Sequence, residues 1–115
     1  MLEFPGGKLE PGEGPREALA RELVEEWGDA ARGVQVGRVF DVVRHRYPPP
    51  GLDVLVMFFH VRAPSDPGWV DTLRPERGAE VLSLMPVELP VHAFMRADQA
   101  VVTRLHATGG VADTT

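Results

Sequence analysis

The stretch from Gly6 to Gly28, GGKLEPGEGPREALARELVEEWG, constrains the fold of this chain more than any other, because it sets a glycine-rich turn directly before an amphipathic helix. Gly14 is acceptable at a helix N-cap, and Pro15 suits the first helical position, where a missing backbone N–H costs nothing. Gly28 is a natural terminator. At about 100° per residue, Leu19, Ala20, Leu23, Val24 and Trp27 share one arc, and Glu22, Glu25 and Glu26 share the next. The helix is thus predicted to have a core face and an acidic face.

The acidic face is costly. Glu22 lies three residues from Glu25 and four from Glu26, spacings at which like charges repel by roughly 0.2–0.5 kcal/mol per pair. The cluster also sits in the second half of the helix, where the dipole disfavours negative charge. A hard cation with oxygen ligands would offset both terms. Taken alone, ELVEE reads first as the solvated face of strong helix formers. The preceding turn tips the balance. Gly6 and Gly7 allow a sharp path that can aim a carbonyl at a cation, and the loop through Pro11 and Gly12 brings Glu13 to the helix start. Arg21, beside the acidic arc, can hold a neighbouring carboxylate by paired hydrogen bonds and leave Glu22 free to work.

Gly7, five residues, Glu13, seven residues and then Arg21-Glu22-Leu23-Val24-Glu25-Glu26-Trp27-Gly28 resemble the Nudix box, G-x5-E-x7-R-E-U-x-E-E-x-G-U. Seven single-residue positions match, and at ordinary residue frequencies a chance match at a given start is on the order of one in 10⁸. One element departs, because Asp29 stands at the final aliphatic position with Ala30 after it, which bears on packing beyond the helix. Leu2-Glu3-Phe4-Pro5, Arg46-Tyr47-Pro48, Glu88-Leu89 and Phe94-Met95-Arg96-Ala97-Asp98 extend the resemblance to the MutT-like branch. Enzymes of that branch cleave nucleoside triphosphates to monophosphate and pyrophosphate, often removing oxidised or non-standard nucleotides.

The resemblance implies that Glu22, Glu25, Glu26 and the Gly7 carbonyl hold Mg²⁺ or Mn²⁺, with Glu13 and Gly28 completing the box. Glu22, left free while Arg21 holds a neighbouring carboxylate, is the box's best candidate for general base; a later loop offers Glu76 or Glu80 instead. Tyr47, Phe94 and Asp98 match positions that bind substrate, although Asp98 is as good an N-cap for a closing helix. The implied fold is an α/β/α sandwich with a mixed sheet. Since the sequence opens just before the box, the expectation is a Nudix domain over residues 1–107 lacking its N-terminal strands, with a flexible tail at 108–115. Two functional readings follow. One is a metal-dependent nucleotide pyrophosphohydrolase; the other is a non-catalytic remnant that binds metal or a partner, its exposed sheet edge open to a second copy.

Composition bounds the rest. With a net charge of −5, the protein should repel a triphosphate unless cations invert the local field. The same balance argues against a nucleic-acid polymer as partner, and Arg44 and Arg46 read as exposed strand-end residues or phosphate contacts. A chain of 115 residues with 43% hydrophobic content suits one soluble domain. The lack of cysteine fits the cytoplasm, and neither a spanning segment nor a signal peptide is evident. Val34 to Val43 reads as one or two strands around Gly37, Tyr47 to Gly51 as a stiff turn, and Leu52 to Val61 as a central strand buried on both faces, with His60 a core or strand-end residue. Residues 63–78 read as a loop, Glu80 to Met85 as a short strand, and Val101, Val102 and Leu105 as the inner side of a last helix.

Overall fold

In the computed structural model, residues 4–75 and 96–108 are described. Helix α1 runs Pro15–Trp27, with Gly14 as N-cap in extended geometry and Gly28 as C-cap, its N–H donating to the Val24 carbonyl at 2.8 Å. Both ends fall where the capping residues predict. Gly28 has φ 88° and ψ −176°, a region open essentially to glycine alone, so the chain turns there without the strain another residue would bear. Leu23 is the deepest side chain of the helix, 2% exposed. The apolar arc differs at one position: Ala18 is buried and Ala20 exposed. Leu23 meets Ala31 and Leu73, whereas Ala20 borders an open cleft with Val24, Ala31 and Val34.

Beyond Gly28 a 3-10 turn covers Asp29–Gly33. Asp29 at the departing aliphatic position points to solvent and pairs with Arg32 at 3.2 Å, while Ala31, two residues on, supplies the buried contact against Leu23. The helix end is closed from a region expected to be plain loop. There a second 3-10 turn, Trp69–Thr72, puts Trp69 against this cluster and Leu73 inside it.

Strands β1 (Gln35–Arg46) and β2 (Asp53–Arg62) pair as a two-stranded antiparallel sheet. Gln35 to Val43 thus belongs to one strand, which passes straight through Gly37, while Val34 caps the preceding 3-10 turn. A side chain at Gly37 would press on the His60 carbonyl at 3.2 Å, so glycine permits close backbone approach there. The stiff turn between the strands is as expected: the Tyr47 N–H donates to the Leu52 carbonyl and the Gly51 N–H to that of Pro48. Strand β2 is not buried on both faces. Val54, Val56 and Phe58 are half-buried, but Leu55 and Met57 are 71% and 41% exposed. A strand's side chains alternate between faces, and LDVLVMFFHV carries apolar residues at both parities, which hides the fact that only one face is covered.

Helix α2 spans Arg96–Thr108. Val101 and Val102 are buried and Leu105 half-buried, as the pattern predicts. Asp98 is the third residue of this helix rather than its N-cap, a place where negative charge still favours the helix dipole. By packing, the chain divides into two units: Pro5–Arg38 with the stretch from His60 through Arg74, and Phe4 with Val39–Phe59 and α2. In the second unit Phe4 and Phe58 meet edge to face at 5.6 Å, and Arg104 lies over the Phe40 ring while pairing with Asp41 at 3.1 Å. Among the described residues no helix is long and apolar enough to cross a membrane. The expected strand at Glu80 to Met85 and the Glu88-Leu89 pair lie outside the described residues.

Candidate functional site

One guanidinium organises the site. Arg21 donates from Nε to Glu13 Oε2 at 2.7 Å and from Nη2 to Glu13 Oε1 at 3.0 Å, the paired geometry that fixes both groups. Its Nη1 reaches Glu22 Oε1 at 2.9 Å and both Glu25 oxygens at 3.2 Å, and lies 3.5 Å from Glu10. Its Nη2 also donates to the Lys8 carbonyl at 2.9 Å. A single side chain thereby ties the Lys8–Glu13 loop to the acidic face of α1. The loop is closed on itself as well, since the Glu10 N–H donates to Glu13 Oε1 and the Glu13 N–H to the Glu10 carbonyl.

The charges reinforce one another. Hydrogen bonds from Arg21 hold the Glu13 carboxyl below the usual glutamate range, with a smaller contribution from the Glu10 N–H. Glu13, and after it Glu22 and Glu25, raise the Arg21 pKa further above its ordinary value, so the guanidinium stays charged. The expectation that Arg21 leaves Glu22 free is not met. Four carboxylates lie within 3.5 Å of one guanidinium, and Arg21 divides its hydrogen-bond donors between Glu13, Glu22 and Glu25.

The glycines meet the carboxylates from the loop side. The Gly6 N–H donates to Glu26 Oε2 at 3.3 Å. A β-carbon added at Gly7 would overlap the Glu22 carboxylate, so only glycine lets backbone lie flush against that side chain. Gly7, Glu13, Arg21, Glu22, Glu25, Glu26 and Gly28 therefore sit together in one unit. Among the described residues no three acidic or histidine side chains already converge as a cation cage. The donors nevertheless fit a hard cation: all are oxygens, and the space at Gly7 brings backbone beside Glu22. Glu25 would exchange its Arg21 contacts for such an ion.

The remaining predicted positions divide. Tyr47 is half exposed at the end of the hairpin with its ring edge to face with His45 at 4.5 Å, and Asp98 is half-buried in the first turn of α2; both belong to the other unit. Glu76, Glu80 and Phe94 lie outside the described residues. Arg44 and Arg46 are exposed and share Asp53, as strand-end residues do. Sequence reasoning missed Glu10 and the Lys8 carbonyl, whose only signal is their place in the loop that Glu13 terminates. It also missed the cleft of about 530 Å³ beside α1, lined by Ala20, Arg21, Val24, Glu25, Ala31, Arg32 and Val34.

Comparison with known proteins bears on the same residues. The model of the NUDIX domain matches residues 1–105. The chain belongs to the Nudix family. It is similar to an 8-oxo-dGTP diphosphatase of Proteus vulgaris, 38% identical over 77 residues that cover 67% of this chain and 60% of that protein. An 8-oxo-dGTP diphosphatase of Haemophilus influenzae is 38% identical over 60 residues, 52% of this chain and 40% of the relative. One from Escherichia coli is 67% identical over 27 residues, 24% of this chain and 21% of the relative. The chain thus spans at most about three-fifths of the length of these relatives. The family match accords with the seven box positions and with the mixed α/β character of the described elements.

Proposed function

We propose that this Nudix chain hydrolyses a nucleoside triphosphate to the monophosphate and pyrophosphate, with an oxidised or otherwise non-standard deoxynucleotide as substrate and Mg²⁺ or Mn²⁺ as cofactor. The observation that carries this reading is the gathering of Glu13, Glu22 and Glu25 on Arg21, with Gly7 flush against Glu22. The name 8-oxo-dGTP diphosphatase carried by the relatives supports an oxidised purine as the first substrate to try.

Glu22, Glu25 and Glu26, with the Gly7 carbonyl, are the groups that would hold the cation. A divalent ion in such a site neutralises phosphate charge and makes bound water more acidic. Glu22 is the base favoured within the box: its carboxylate is steadied by Arg21 at 2.9 Å, and a positioned carboxylate can accept the proton of the attacking water. Glu76 is the alternative base. Arg21 itself holds the loop and helix in register; water adds to one of the two phosphorus atoms that flank the bridging oxygen as that atom's bond to the oxygen breaks, giving monophosphate and pyrophosphate. Tyr47, Phe94 and Asp98 are the proposed contacts to the nucleoside.

The test is pyrophosphate release by the purified chain over a panel of nucleoside triphosphates including 8-oxo-dGTP, with Mg²⁺, with Mn²⁺ and with chelator. Cation-dependent release ranks the substrates and supports the hydrolase. No release, together with a melting temperature that rises with Mg²⁺, supports the remnant that binds metal without turnover.

A further inference from the structure

The segment Trp69–Arg74 closes on the end of the carboxylate-bearing helix at three points. The Trp69 indole Nε1–H donates to the Ala30 carbonyl at 2.9 Å across 39 residues of sequence. The Leu73 side chain, 6% exposed, completes the cluster with Leu23 and Ala31. The Arg74 N–H donates at 2.6 Å to the Trp27 carbonyl, one of the acceptors a helix end leaves without an intrahelical partner. The turn that presents Trp69 is pinned in turn. The Trp69 N–H donates to the Asp66 carbonyl at 3.0 Å, the Gly68 N–H to Asp66 Oδ1 at 3.0 Å, and the Thr72 hydroxyl to the Trp69 carbonyl at 2.6 Å.

Of the points of attachment, Trp27 directly follows Glu25 and Glu26 and ends α1, and Ala30 lies in the 3-10 turn that continues from it. The last turn of α1 carries like charges at neighbouring positions and at the wrong end of the dipole, so it needs an anchor from outside the helix. We propose that Trp69 is a positioning residue for the carboxylate cluster: its indole bond to Ala30 fixes the 3-10 turn directly after α1 and, with the Arg74 N–H on the Trp27 carbonyl, the helix end, so that Glu25 and Glu26 stand where a divalent cation can be held. The inference rests on the metal-holding reading of those two glutamates.

The experiment titrates Mn²⁺ into the purified chain and reads free Mn²⁺ by electron paramagnetic resonance, with the melting temperature measured without metal. Trp69→Phe keeps an aromatic ring and removes the donor. Its Mn²⁺ Kd is expected to rise about fivefold, the scale of one neutral hydrogen bond, while Val70→Ala, at an exposed neighbour in the same turn, leaves Kd unchanged. Thr72→Val releases the same turn more gently, is expected to raise Kd by a smaller factor, and keeps the test decisive should Trp69→Phe not fold. A merely structural role lowers the melting temperature and leaves the Kd of the folded protein where it was; that result in the folded variants overturns the proposal alone. Absence of Mn²⁺ binding by the unmutated chain overturns the metal reading of the glutamates, and the positioning role with it.

Discussion

Arg21 and Arg44 both bind carboxylates, yet the first joins a loop to a helix while the second joins neighbouring strands of a hairpin. Arg21 is 23% exposed at its side chain and divides its donors among Glu13, Glu22, Glu25 and the Lys8 carbonyl. Arg44 is 56% exposed and gives its donors to Asp53, from Nη2 at 2.5 Å and Nε at 2.9 Å, with Arg46 at 3.6 Å from the same carboxylate. Water and salt screen the second group, and exposed pairs of this kind contribute little to stability. The first is partly covered and reaches across thirteen residues to Lys8, so it determines where a loop lies. The same pairing therefore positions a site in one region and only decorates a surface in the other.

The sharpest way to break that contrast is to neutralise the helix carboxylates. Glu25→Gln or Glu26→Gln should lower pyrophosphate release by about a hundredfold or more, the scale of losing charge at a metal-assisted centre, with circular dichroism unchanged. Turnover retained by either variant would remove that residue from the ligand set. Next is Gly7→Ala. The added methyl would displace the Glu22 carboxylate, the free end of a flexible side chain, so turnover should fall about ten- to a hundredfold while the melting temperature stays within error. A fall in both would mean that Gly7 serves the fold rather than the site.

Gly28→Ala tests stability in the same unit. Its φ of 88° and the Arg74 Cβ at 3.1 Å from any added side chain predict a loss of roughly 1–3 kcal/mol, read as a lower denaturation midpoint. The smallest effects come from acid. Glu13 and Asp53 both have lowered pKa values, by hydrogen bonds from Arg21 and from Arg44 respectively. Each lowered value stabilises the fold above the ordinary carboxylate pKa, about 4.3 for Glu and 3.9 for Asp, and that contribution is lost as pH falls through the depressed folded value. Melting temperature against pH should therefore decline on the acid side, with Glu13→Gln flattening the curve more than Asp53→Asn. High salt should erase the Asp53 contribution first. Equal sensitivity would deny the difference between the two groups.

Much of this region was readable without coordinates, because its information is local. Gly14, Pro15 and Gly28 state the bounds of α1 through backbone chemistry, and the spacing of Glu22, Glu25 and Glu26 states their shared face through helical periodicity. The turn from Tyr47 to Gly51 is legible for the same reason. Other features depended on what lies opposite. Ala18 rather than Ala20 is buried, and β2 leaves Leu55 and Met57 exposed, since an apolar residue reports only that it can be covered. Asp98 illustrates a boundary error: a good capping residue also suits the first turn of a helix.

The sequence by itself determined the family, the carboxylate helix and the residue types at the site, because box spacing, helix caps and periodicity act over a few residues. Tertiary structure alone decided the partners: that Arg21 shares its donors with Glu22 instead of leaving it free, that the Lys8 carbonyl joins the network, and that Trp69 and Leu73 close the helix end from far along the chain. Those contacts follow from which surfaces meet on folding, and neither the order of residues nor their spacing encodes that meeting locally.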